Sequence, residues 1–151
     1  MVEAVDDLPD QIPNHEKPLP TADQDGNHVI LSLGQGVVAG YAHLQPGSVR
    51  VRPGQRVRVG QILGELGNSG ASSGPHLHFQ LMTGPSLLDA DGLPFILRQF
   101  DLDGFATSLD AFLHADLTGV PVPINASAVG VRRSAGLAGL EILRFPTATS
   151  R

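Results

Sequence analysis

The residues best suited to chemistry lie in Pro75-His76-Leu77-His78-Phe79. Side chains alternate across a strand, so His76 and His78 project to one face while Leu77 and Phe79 take the other. Pro75 has no N–H to give a ladder and suits the first residue of such a strand. Two imidazoles on one β face can share a metal ion, can divide metal binding and proton transfer between them, or can simply be solvated. The segment leading into them, Gly64-Glu-Leu-Gly67-Asn-Ser-Gly70-Ala-Ser-Ser-Gly74, is a long loop of small residues that lets a substrate backbone come close. Asn68, Ser69, Gly70 and Gly74 are therefore candidate groove residues. Upstream, Tyr41-Ala-His43-Leu44 puts a third histidine at the end of an apolar strand, just before the turn residues Gln45-Pro46-Gly47. The chain has no Cys, which excludes a disulfide scaffold, a thiolate zinc site and a Cys nucleophile.

Short strands must carry these groups. The 151 residues include 18 Gly and 12 Pro, a turn-rich share that argues against long helices. Met1-Val-Glu-Ala-Val5 reads as an opening strand and residues 6–25 as an acidic, proline-bounded loop. Val29-Ile30-Leu31, the run 36–44, the run 49–66 and the run 75–82 then read as strands bounded by Gly or Pro. The expected fold is all-β, a compact antiparallel β core of barrel-sandwich or lipoyl-like hairpin type. A mostly irregular C-terminal extension follows. It carries one short helix, capped by Ser108 with Leu109, Phe112 and Leu113 on one stripe, and a last edge strand at 140–145. The expected division is a core over residues 1–100 and an extension of unknown role over 101–151.

Other classes weaken on inspection. Lys+Arg 10 against Asp+Glu 15 gives a net charge of −5, unfavourable for a nucleic-acid partner. No apolar run reaches the roughly 18 residues of a membrane helix. Arg50, Arg52, Arg56 and Arg58 alternate with Val49, Val51, Val57 and Val59, as in a half-buried strand pair with its charges in water. The Asp-x-Asp-Gly stretches from Asp23, Asp89 and Asp101 lack the ligand spacing of a calcium loop and read as turns. Ser69, Ser72 and Ser73 have no nucleophile elbow around them, and Asn125-Ala-Ser127 is a short sequon match only.

The run YAHL…PGSVRVRPGQRVRVGQILGELGNSG…SGPHLHF resembles the lysostaphin-type zinc metallopeptidases, metallopeptidase family twenty-three, which cleave peptide crosslinks of bacterial cell walls. The likeness is strong over residues 26–82, fainter over 1–8 and 90–100, and absent beyond. It implies a zinc cofactor, a peptidoglycan peptide as partner and a location in the cell envelope or outside the cell. It makes His78 the zinc ligand of the H-x-H motif. His76 and His43 become the two non-ligand histidines that activate water and stabilise the tetrahedral intermediate, and Tyr41 lines the site. The family's first two zinc ligands, a His and an Asp, precede the strand that Met1–Val5 resembles, so this sequence is expected to lack them; His15 and His28 have no Asp in the family spacing, and His114 with Asp116 lies outside the matched region. Three readings follow. One is a zinc endopeptidase domain that is inactive as it stands, and another a degenerate relative that binds or activates a second wall hydrolase. The third, a lipoyl-type carrier, fails because the only Lys is Lys17, far from the hairpin that would bear the modification.

Overall fold

A computed structural model of the chain describes residues 3–10, 19–126, 129–137, 139 and 141–145. The chain divides into two compact units, Met1–Pro94 and Phe95–Arg151. The first is built on an antiparallel sheet of β1 (Glu3–Val5), β2 (Asn27–Gly34), β3 (Val37–Leu44) and β4 (His78–Met82), in that spatial order. Met1, Val2 and His15 lie outside the described residues. Gln35 and Gly36 join β2 to β3 with φ of 52° and 77°. Two positive φ values in a two-residue loop make the turn whose twist matches the flanking strands.

Both faces of this sheet are covered, which explains why Val29-Ile30-Leu31 is continuously apolar. Val29, Leu31, Ala39, Leu44 and Val51 form one buried cluster, with Tyr41, Phe79 and Leu81 packed against it. Ile30, Val38, Ala42, Met82 and Leu87 form the other. The expected strand pair over 49–66 is not a regular ladder. It is a chain of turns at 52–55 and 58–61, closed by Gln55 N–H to Arg52 O at 3.0 Å and Gln61 N–H to Arg58 O at 3.0 Å. In each turn the glutamine Oε1 also accepts from the arginine N–H at 3.2 Å. Gly54 and Gly60 supply φ of 81° and 80° at the third position of these turns. The arginines still point to solvent and Val51 is buried, but Val59 sits on a turn corner and is exposed.

The second unit contains far more sheet than the sequence reading allowed. Its strands are β5 (Leu97–Ala106), β6 (Ile124–Asn125), β7 (Gly130–Ala135) and β8 (Glu141–Arg144), with β5 pairing antiparallel to each of the others. The last strand and the helix α1 (Leu109–Thr118) lie as expected. Ser108 caps α1 by accepting from Ala111 N–H at 3.0 Å, and Gly119 ends it at φ 69°. Leu109, Phe112 and Leu113 are exposed, as is a large part of β7. Asp101-Leu-Asp103-Gly104 is not a turn but the middle of β5, with a bulge at Gly104. β5 alternates, with Phe100, Leu102, Gly104 and Ala106 buried, whereas β6 and β7 pair through the backbone and are largely exposed, so those two carry little apolar signal.

In the first unit the loop 67–70 packs backbone to backbone against two other segments. A Cβ on Gly70 would collide with Gly26 N and Gln24 O, and one on Gly67 with Gln45 N. Gly70 also stands at φ 75°, whereas Gly54, at φ 81°, has nothing within 4 Å of such a Cβ. Gly70→Ala is expected to cost about 3 kcal/mol or more through strain plus overpacking, and Gly54→Ala only about 1–2 kcal/mol. Urea unfolding of the two variants measures the difference.

Candidate active site

His43, His76 and His78 come together although one of them sits at the wrong parity for it. In β3, Val38 and Ala42 face one cluster and Ala39 the other, so regular alternation would put His43 on the face of Ala39 and Tyr41. His78 pairs with Ala42, which puts His78 on the opposite face. A bulge resolves the conflict: the β2–β3 register shifts between Asn27↔Leu44 and Val29↔Tyr41, and His43 lies in the extra step at φ 61°. A one-residue slip exchanges the faces of everything beyond it. Leu44 accordingly joins the cluster of Val29 and Leu31, and the His43 ring reaches His76 and His78. Ring centroids lie 4.7 Å apart for His43–His76 and 5.7 Å for His43–His78.

Hydrogen bonds fix two of these rings. His43 is only 5% exposed. Its backbone N–H donates to Asp25 O at 3.1 Å, and its Nδ1 lies 2.8 Å from Ser69 O. His76 Nδ1 lies 2.8 Å from Gly74 O and 3.2 Å from Ser72 Oγ, whose own proton goes to Gly74 O at 2.8 Å. A carbonyl oxygen only accepts, so both Nδ1 atoms carry the proton. Each neutral ring is left with a basic Nε2.

The groove residues inferred from the loop behave differently from expectation. Ser69 is wholly buried, Asn68 and Ser72 nearly so, and Gly70 and Gly74 are buried as well. Among the described residues they pack behind the histidines, where close approach of Gly67 and Gly70 to neighbouring backbone draws the loop inward. Tyr41 packs on Phe79 with ring centroids 5.1 Å apart, on the sheet face opposite His78. Strand parity places it there. Asp25, which the sequence offered only as part of a turn, lies within electrostatic reach of His28, His78 and His43. Burial raises its carboxyl above the usual range, and the histidines oppose that rise. Asp25, His28, Glu3 and Asp89 border a cleft of about 550 Å³. Little in the local pattern marks Asp25: His28 is three residues on, but His43 and His78 lie 18 and 53 positions away in sequence.

The resemblance implies zinc, and the donors can be tested against it. Among the described residues no group of three or more His, Cys, Asp or Glu side chains is placed to hold a metal ion. A zinc hydrolase needs about three protein ligands. His43 and His76 have each committed Nδ1 to a backbone carbonyl, and His78 is the ligand left in the H-x-H pattern. The described residues alone do not fit a zinc centre.

Residues 18–90 match the family described as Peptidase family M23. The chain is 40% identical over 57 residues to the peptidoglycan DD-endopeptidase ShyA of Vibrio cholerae, covering 38% of this chain and 13% of that protein. It is 48% identical over 59 residues to the glycyl-glycine endopeptidase ALE-1 of Staphylococcus capitis, covering 38% of this chain and 16% of that one. The chain thus spans about a sixth or less of the length of these curated relatives. The catalytic domain of the prophage-encoded M23 protein EnpA from Enterococcus faecalis is similar with a TM-score of 0.42 and 28% identity, over 60% of this chain and 67% of that one.

Burial, reinforced by the neighbouring His76 and His78, lowers the His43 pKa below its ordinary 6.5, against the opposing pull of the Ser69 carbonyl and Asp25. Between that folded value and 6.5 the unfolded chain binds the extra proton, so stability falls as pH drops through this window. Two measurements check this. His43 is expected to titrate below 6.5 by NMR, and His43→Gln to flatten the acid-side decline in urea stability over the same range.

Proposed function

We propose, on the premise that residues 18–90 of this chain belong to the M23 peptidases, that the three-histidine face is the proton-handling side of a site for hydrolysing peptide bonds in peptidoglycan crosslinks. The observation that carries the reading is the convergence of three rings, two of them held in one tautomer by loop carbonyls. The relatives whose names specify DD- and glycyl-glycine endopeptidases support peptidoglycan as the substrate class.

The roles follow from the ring nitrogens. A neutral imidazole with a free Nε2 takes a proton from an attacking water. Once protonated, the same nitrogen donates a hydrogen bond to the developing oxyanion or passes the proton to the leaving amine. Two such rings 4.7 Å apart divide these tasks, because a proton on one disfavours a proton on the other. His43, buried and with a lowered pKa, suits the base; His76, less buried, suits the donor toward the substrate. His78 is assigned as the zinc ligand, and two more donors are required beyond the described residues. The described residues by themselves are therefore proposed to be incompetent for turnover.

The missing donor group also favours a second reading, a catalytically degenerate module that binds peptidoglycan or activates another wall hydrolase. The two separate on purified cell-wall sacculi. Binding to the sacculi together with faster peptide release by a second wall hydrolase favours the module; no such stimulation favours the incomplete endopeptidase site.

Zinc is expected to be retained at well under one equivalent per chain after dialysis, by elemental analysis. Stoichiometric retention would show that the donor set is complete. Residual affinity, read by competition with a chromophoric chelator, is expected to vanish in His78→Ala and to persist in His76→Ala; equal loss in both overturns the division of roles.

A further inference from the structure

Ser69 ties three segments together beside the histidines: the start of β2, the end of β3 and its own loop. Its side chain is wholly buried. The hydroxyl accepts from Asn27 N–H at 2.9 Å, where β2 begins, and donates to Leu44 O at 2.7 Å, where β3 ends. The carbonyl of the same residue lies 2.8 Å from His43 Nδ1. Ser69 therefore ties down the residue following His43 through its side chain and the ring of His43 through its main chain. The neighbours tighten this arrangement. Asn27 Nδ2 donates to Leu8 O at 2.7 Å and to Leu44 O at 3.3 Å. A Cβ on Gly26 would strike the Ser69 carbonyl and hydroxyl.

We infer that Ser69 is a positioning residue for the proposed reaction: its buried hydroxyl anchors the loop so that its own carbonyl holds His43 as the Nδ1–H tautomer, with Nε2 as the free base. A free histidine interconverts between tautomers, and only the Nδ1–H form presents Nε2 as the proton acceptor. The carbonyl imposes this form only while it stays within hydrogen-bond reach; the hydroxyl ties it to the end of β3, whereas the bridge to Asp10 and the bond of Ala71 N–H to Gln24 O tie the loop elsewhere. Removing the hydroxyl leaves Asn27 N–H unpaired and lets the loop back away from the end of β3. The catalytic meaning of this lock rests on the proposed function, but the lock itself does not. Its test needs neither zinc nor turnover.

The experiment is ring ¹⁵N NMR of the histidines in the chain as it is, at a pH where His43 is neutral. Wild type is expected to show His43 with a single protonated Nδ1, and an Nε2–H signature there overturns the inference at once. Ser69→Ala is expected to convert that signal to a mixture of tautomers, with Ser69→Thr restoring it. Asn27→Ala, which removes side-chain bonds but keeps the Asn27 N–H, is expected to lower the melting temperature and leave the His43 signal unchanged. Should Ser69→Ala not fold, Ser69→Cys takes its place with the same readings. An unchanged Nδ1–H signal in the folded hydroxyl-deficient variant, or equal disturbance in Asn27→Ala, overturns the inference. Failure of the zinc or sacculus experiments with an intact Ser69 effect would fault the function and not the lock.

Discussion

A residue other than glycine held in the left-handed region costs on the order of 1–2 kcal/mol, and His43 occupies that region at φ 61°. Two hydrogen bonds offset the cost, one from its backbone to Asp25 and one from its ring to Ser69. What the strain accomplishes is geometric. Without the bulge His43 would face the cluster of Tyr41 and Phe79, and the two remaining histidines would be a pair on a β face. The bulge places a buried imidazole against them and returns Leu44 to the core in the same step. Strain kept at a site where it re-aims a side chain is a recurrent feature of functional bulges.

Holding that bend demands a stiff partner, and the loop from Gly67 to Gly74 supplies it. Ala71 N–H reaches Gln24 O at 2.8 Å and His76 N–H reaches Gly67 O at 3.2 Å, so the loop is stitched to the start of β2 and to the histidine strand alike. Asn68 N–H reaches the Asp10 carboxylate at 3.0 Å, tying in the segment after β1. Small residues matter here because backbones approach to distances no Cβ would permit. The same smallness that first indicated an open groove thus serves a packed frame.

The electrostatics follow from that packing. Burial disfavours charge on His43, and the two neighbouring rings add to the effect, so the ring is kept neutral with Nε2 unprotonated. Asp25 answers with a carboxyl whose own ionisation is disfavoured by burial, which limits how far it can stabilise an imidazolium. What the frame adds is direction: the unprotonated Nε2 of one fixed tautomer points one way, where a solvated histidine samples both tautomers.

Much of this was legible along the chain. Pro75-His76-Leu77-His78-Phe79 declared its two-faced pattern, Val29-Ile30-Leu31 its burial, Ser108 its helix cap, and the spaced motif its family. These are local signals, set by the period of a strand and the preferences of single residues. β6 and β7 were not legible, because they are short or polar and exposed and take their order from backbone pairing; β5 carries an alternation of buried Phe100, Leu102 and Ala106 that its Asp-x-Asp-Gly run disguised as a turn. Tyr41 was misplaced for the opposite reason: its own strand parity is regular, and the disturbance that moves His43 comes two residues later. What the sequence alone determined is which side chains are available and their alternation within each strand. The tertiary structure decided which of them meet, because the bulge at His43, the burial of Ser69 and the reach of Asp25 arise from contacts between segments far apart in the chain, and no local periodicity encodes these.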